Sequence, residues 1–272
     1  MRTRRKALKV IVGGSALPVL FVLAAAGPSW GQVNFGISPI RAEHKINPGE
    51  SRTDVFMIRN NSAGPIRIKA YIENWILSAD GTPSFIGTKA TTYSSMDWII
   101  VNPVDFRVMP DEIKSVRYTV TVPPDTPPGG YHSAISFETV PDTAGVKAAA
   151  KMLFSGKIAA AIYVVTGDPA VKGDLLDLKL GIKDNAPALA LTLADTGKVH
   201  FRVKGTIRVY NASGEKILDL TIPDEVVLPE SQRSVFCPLP HPLEPGTYKA
   251  VCEVDIGRPE LLEMEKTIEV AK

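Results

Sequence analysis

The residues best suited to chemistry in this 272-residue sequence are its histidines, its cysteines and a group of loop carboxylates. The histidines, His44, His132, His200 and His241, fall on different predicted elements and do not form a ligand set. Asp97, Asp105, Asp111 and Glu112 cluster around strand starts, where a carboxylate pair for sugar hydrolysis would be sought. Acids at such places ordinarily solvate turns. There is no Gly-x-Ser-x-Gly elbow, no phosphate-binding Gly-Lys loop and no His-Glu-x-x-His pair. The expectation is a non-enzyme with no metal and no cofactor.

The two cysteines frame a strand connection. Cys237 ends one strand, Cys252 lies four residues after Tyr248 on the next, and the period of two turns both inward. In an oxidising compartment they would close a short loop as a disulfide, worth roughly 3 kcal/mol on the chain-entropy model. Otherwise they are two buried thiols, and the sequence leaves both open.

The elements that carry these residues are announced by a turn that occurs twice. Pro127-Pro128-Gly129-Gly130-Tyr131 and Leu243-Glu244-Pro245-Gly246-Thr247-Tyr248 each follow an alternating apolar strand, end in Tyr and open onto another strand. This is the pattern of a tyrosine corner, in which the Tyr hydroxyl bonds back to the backbone of the preceding connection. Corners at Tyr131 and Tyr248 imply two immunoglobulin-like β-sandwiches of about 100 residues each. Met109-Pro110 followed by Ser115-Val116 reappears at identical spacing as Leu228-Pro229 followed by Ser234-Val235, which supports duplication of one domain type.

Alternation predicts a first strand pair over Phe35–Ile46 and strands over Thr53–Arg59, Pro65–Leu77, Ser115–Val122, Tyr131–Thr139 and Met152–Val165 in the first sandwich. Trp75 reads as the core Trp of strand C, and Ser78–Ser95 as a long polar connection. After Gly167-Asp168-Pro169, about seven short strands follow, among them His200–Tyr210, Val226–Phe236 and Thr247–Asp255. No helix-period segment of useful length follows the N-terminal region, so the predicted fold is all-β. The expected division is 1–31 signal peptide, 32–168 first sandwich and 169–272 second sandwich.

Residues 1–31 have a basic start, an apolar stretch from Val10 to Ala26 broken by Gly13, Gly14 and Pro18, and small residues for cleavage after Ala26 or Gly31. That is a secretory signal peptide. Thr3-Arg4-Arg5-Lys6-Ala7-Leu8-Lys9 also resembles a twin-arginine signal, so the route is Sec or twin-arginine and the destination periplasm or cell surface. The precursor has 31 Lys and Arg against 29 Asp and Glu. Cleavage removes Arg2, Arg4, Arg5, Lys6 and Lys9 and no acid, leaving 26 basic against 29 acidic residues. A mature chain of that balance offers no electrostatic footprint for nucleic acid or anionic lipid.

The strand 158–165 is the best physical pointer to function, because it carries no charge. Ile158, Ala160, Ile162 and Val164 share one face, and Ala159, Ala161, Tyr163 and Val165 the other. A sandwich strand with one wet face alternates apolar with polar, so something must cover the outer face. Either the second sandwich covers it or another chain does, by strand addition.

Gly36-Ile37-Ser38-Pro39-Ile40-Arg41, the Asn47-Pro48-Gly49-Glu50 turn, Asn60-Asn61 and the first corner together resemble PapD-like periplasmic pilus-assembly chaperones. They are also similar to WxL-interacting bacterial surface proteins, in which Trp98-Ile99, Asn102-Pro103 and Phe106 have counterparts. The resemblance covers roughly Phe35–Gly167. It implies a partner that is another exported or surface protein, such as a fibre subunit, held at edge strands of the first sandwich. Arg41 stands where the chaperones' carboxylate-holding Arg would be. Ala falls where the family places a strand-G Lys, with Lys157 nearby and out of register. The expected partner-binding set is Arg41, Lys157, Ile158, Ala160, Ile162 and Val164. The other reading is an adhesion or cell-wall-binding module that works through the loops at the sandwich ends.

Overall fold

The computed structural model describes residues 34–89, 91–141 and 155–271. The signal-peptide expectation for 1–31 and the first residues of the predicted strand at Met152 lie outside them. Among the described residues no helix is long and apolar enough to cross a membrane.

The chain is all-β and forms two tandem immunoglobulin-like β-sandwiches. In the first, β1 (Phe35–Ser38), β3 (Ser51–Asn60), β8 (Ile113–Thr121) and β6 (Ile99–Asn102) form one sheet in the order β1-β3-β8-β6. The facing sheet runs β2 (Arg41–Lys45), β10 (Lys157–Thr166), β9 (Gly129–Val140), β4 (Ile66–Leu77) and β5 (Pro83–Gly87), with β7 (Asp105–Val108) also paired to β4. The predicted first strand pair, Phe35–Ile46, divides at Ser38-Pro39-Ile40, where the chain changes sheets. A proline lacks the donor a continuous ladder needs, and this is where the switch falls. β2 then runs parallel to β10, Ala161 opposite Arg41 through Val165 opposite Lys45.

Period-two alternation builds the core between these sheets. Phe56, Ile58, Val116, Tyr118, Val120, Ile135 and Phe137 are all essentially without solvent contact, and Ala160, Ile162 and Val164 of β10 join them. Phe56 stacks on Tyr118 at 4.8 Å and meets Phe137 edge-on at 6.1 Å.

The second sandwich pairs β11 (Gly173–Lys183), β12 (Ala186–Asp195) and β16 (Gln232–Pro238) in one sheet. The other is β14 (Lys216–Thr221), β13 (Phe201–Tyr210), β17 (Gly246–Asp255) and β18 (Leu262–Val270), with the short β15 (Glu225–Val227) also on β13. Its core gathers Leu178, Leu189, Leu191, Ile207, Val209, Val235 and both cysteines. Cys237 and Cys252 are free thiols, fully buried, and burial pushes each up to about 12. The disulfide alternative is therefore not the arrangement in this structure.

Both tyrosine corners close as hydrogen bonds. Tyr131 donates to the Pro127 carbonyl at 3.0 Å, and Tyr248 to that of Glu244 at 2.9 Å.

Three local expectations change. Ser78–Ser95 contains the strand β5, which alternation alone missed because it is mostly solvent-exposed. The predicted strand Val226–Phe236 is two strands, because Glu230 adopts φ 55, a left-handed conformation that no strand continues through. Trp75 is buried, but on the outward face of its sheet, sharing a side with Tyr71 and Glu73 rather than with Ile68 and Ala70. It belongs to a separate apolar cluster with Ala134, Tyr163, Val226 and Leu228, where the two sandwiches meet.

Candidate functional site

The strand β10 organises the candidate site. Its even-numbered side chains point into the first core: Ala160, Ile162 and Val164 have no exposure, and Ile158 packs against the same cluster. Four of the residues expected to meet a partner are therefore core residues, a correction that follows from which face the opposing sheet occupies. The odd-numbered face is the outward one. There Tyr163, 4% exposed, packs with Trp75 and Ala134 of its own sheet and with Val226 and Leu228 of the second sandwich, while Ala159 and Ala161 stay half-buried. Of the two covers open to the sequence, the second sandwich supplies this one.

β10 is also not an edge along its whole length. β9 pairs it from Lys157 to Thr166, but β2 pairs it only from Ala161 to Val165. The Ala161 N–H donates to the Ile40 carbonyl at 3.2 Å, so odd residues turn their backbone groups toward the β2 side. Lys157 and Ala159 follow the same rule. Among the described residues no strand meets their N–H and C=O groups on that side. Among the described residues the start of β10, Lys157–Ala160, is therefore an open edge.

That edge borders a cleft of about 310 Å³ between the sandwiches, lined by Ile40, Arg41, Trp75, Phe85, Ala159 and Tyr163 from the first and Arg202, Val226 and Arg233 from the second. Ile40 is 64% exposed and Phe85 41%, so the cleft has solvent-facing apolar walls. Lys157 does not point to solvent as a free cation. Its Nζ lies 2.5 Å from Glu73 Oε1 and 4.5 Å from the centre of the Phe85 ring. Glu73 is buried and also accepts from Ser136, which holds the pair against the sheet.

Arg41 lies at the start of β2 and faces this cleft, but its guanidinium is engaged. Nη2 lies 3.2 Å from Asp224 Oδ2 and Nε 3.5 Å from Glu43 Oε1. Arg202 closes the ring, with Nε 2.6 Å from Asp224 Oδ1 and Nη1 3.7 Å from Glu43 Oε1. The Arg202 hydrogen bond, with Arg41 adding to it, holds the Asp224 carboxyl below the usual carboxylate range. Two acids and two arginines thus tie β2 to the loop before β15. A partner's carboxylate reaching Arg41 has to compete with Asp224. On the other wall Arg233 is 8% exposed, donates to the Val226 carbonyl at 2.5 Å and to Glu225 at 2.6 Å, and presses on Gly81, where any Cβ would fall 2.6 Å from its Nη2.

The joint beside the cleft is tight. Gly130 N–H donates to the Lys198 carbonyl at 2.7 Å and Ser234 N–H to that of Ala79 at 2.6 Å. A Cβ on Gly130 would lie 3.0 Å from His200 Nδ1, so glycine here permits the close approach. His200 reaches across to lie 4.6 Å from the Tyr163 ring, and Trp75 meets His132 at 5.2 Å. Burial pushes both imidazoles down to about 4. The histidines that looked scattered include two at one joint, although among the described residues no cluster of three metal-ligating side chains forms.

Three of the four loop acids are held by local partners. Asp105 pairs with Arg67 at 2.6 Å, Glu112 accepts from the Met109 N–H at 2.6 Å, and Asp111 lies 3.9 Å from Arg59. Sequence reasoning missed Arg202, Asp224, Arg233 and Phe85. None carries a motif, and they meet the first sandwich only through the packing of one domain on the other.

No family model matches the chain, and no curated protein does. Among solved structures, the strand arrangement is similar to that of the class 5 fimbriae chaperone CfaA, at 16% identity over 88% of this chain and 100% of that one, TM-score 0.45. It is also similar to the E. coli chaperone DraB, at 15% identity over 88% and 98%, TM-score 0.41. A third likeness is to the Salmonella enterica SafA pilin in complex with the SafB chaperone, at 14% identity over 86% and 96%, TM-score 0.42.

Proposed function

We propose that this protein is an exported, non-enzymatic binding factor that acts like a chaperone in assembling a pilus or other cell-envelope structure. It holds an extended segment of another exported protein by strand addition along Lys157–Ala160, and the adjoining cleft receives the segment's end. The observation that carries this reading is the open backbone edge of Lys157 and Ala159 bordering an apolar cleft. Unpaired N–H and C=O groups beside exposed apolar surface are a template for another strand, and proteins normally guard such edges with charge or proline. Here the nearest charge, Lys157, is withdrawn onto Glu73 and Phe85.

The test is Ala159→Pro. The Ala159 N–H faces the open side, so proline there removes a donor to the incoming strand while leaving the ladder to β9 intact. Site-specific photocrosslinking from the cleft-lining residue Phe85, in cells that make the natural partner, should yield a discrete adduct that Ala159→Pro abolishes at unchanged protein level. An adduct of equal yield in the proline variant would remove the edge from the mechanism.

A further inference from the structure

A second cavity, of about 600 Å³, opens beside the first tyrosine corner and is separate from the β10 edge. Its apolar wall is made by the half-buried rings of Tyr93, Trp98 and Tyr131 together with Pro123, Pro127 and Pro128. Trp98 and Tyr131 lie 4.5 Å apart at 53°, and Tyr93 and Tyr131 6.2 Å apart at 56°. The ring planes are tilted against one another rather than stacked in parallel. They are also held in place. The Tyr131 hydroxyl is committed to its corner bond, Trp98 packs on the first core, and Glu230 of the second sandwich lines the same cavity as Tyr93. Glu230 sits in the left-handed turn between β15 and β16, a conformation uncommon for a residue with a side chain.

The rim decides the ligand class. Asp125 and Glu230 are acceptors, Lys198 is a donor, and Thr92 and Thr126 bring hydroxyls that do both. An organic cation would suit the rings and the two carboxylates but would meet the Lys198 ammonium. An anion would meet both carboxylates. A proline-rich peptide would suit the rings, yet it has few N–H groups to give to the two acids. A sugar satisfies all of these at once. Its C–H faces carry the slight positive charge that the negative aromatic face attracts, and each hydroxyl both donates and accepts. The volume falls within the ordinary range of ligand pockets, about 300–1,000 Å³.

We infer that this cavity is a saccharide-binding site, which takes a short neutral oligosaccharide with Trp98 and Tyr131 as its stacking platform and Asp125, Glu230 and Lys198 as its hydroxyl partners. The test is calorimetric titration of the exported chain, with tryptophan fluorescence in parallel, using maltotriose, cellotriose and chitotriose as probes. Saturable binding of at least one is expected. It should weaken by about tenfold or more in Trp98→Ala and in the double variant Asp125→Asn with Glu230→Gln, and persist in Ala159→Pro. The double variant changes only exposed or rim carboxylates, so it remains informative if Trp98→Ala fails to fold. Failure of all three sugars to bind would overturn the inference. So would binding that survives the double variant, or capture of a decaproline peptide in place of the sugars. Loss of binding in Ala159→Pro would also overturn it, because the site would then belong to the strand edge.

Discussion

Acid should loosen the joint between the sandwiches, and His200 is the residue that tests why. Its imidazole is 8% exposed, lies against Tyr163, and among the described residues has no partner for Nδ1. The groups acting on it are His132 across the joint and Arg202 on its own sandwich, and both disfavour a further positive charge. Burial comes first among the causes and pushes the folded value down from 6.5 to about 4. The unfolded chain takes up a proton near pH 6.5 and the folded chain only near pH 4, so stability falls as pH drops through that window and the full loss is reached below pH 4. Linkage puts the loss from this one group at about 2 kcal/mol at pH 5 and about 3 kcal/mol at pH 4. His132, also pushed down to about 4, loses stability in the same direction. Asp195 opposes both, because burial raises it to about 7, so folding favours its protonated form as pH falls from 7 toward 3.8. His200→Phe keeps a ring against Tyr163 and removes the titration. Urea unfolding of both forms at pH 7, 5 and 4 should show the parent losing about 3 kcal/mol more than the variant by pH 4. Parallel loss in the two forms, or a His200 titration by NMR near the unperturbed value, would refute the reasoning.

Ile162→Asp should unfold the first sandwich, because the side chain is fully buried among apolar neighbours and a carboxylate there costs several kcal/mol; a variant with native circular dichroism and an unchanged melting temperature would contradict the placement of β10. Tyr248→Phe removes one corner hydrogen bond at a partly exposed site and should lower stability by about 1 kcal/mol in chemical denaturation, with no change meaning that water replaces the bond. Cys237 and Cys252 should resist a thiol reagent in the folded protein and both react after denaturation without reductant. Absence of reactivity in the denatured chain would mean that they are joined.

Much of the fold is legible in local sequence, because its determinants are local. The period of two placed Val116, Tyr118 and Val120 on one face, and Pro-Gly turns ending in Tyr131 and Tyr248 marked where strands restart. The charge-free run 158–165 showed that both faces of one strand are covered, since a wet face there would lack polar residues. Which face is which was not legible. Alternation sorts residues into two sets, but only the packing of the opposite sheet sends Ile162 inward and Tyr163 outward. The same holds for Trp75, whose size marks it for burial while the second sandwich decides where.

The candidate site depended still more on tertiary structure. Arg41 was visible as a first-strand arginine. That it is held by Asp224, and shares it with Arg202, depends on chain segments 183 residues apart meeting across the joint. An open backbone edge has no side-chain signature at all, because it is defined by where β2 stops pairing with β10. The sequence by itself determined that this chain makes all-β, tyrosine-cornered sandwiches with one strand too apolar to be left wet, since turn chemistry and side-chain alternation act between near neighbours. Only the tertiary structure decided which edge stays open, which arginine is occupied and which rings line a cavity, since those follow from how two folded sandwiches press together.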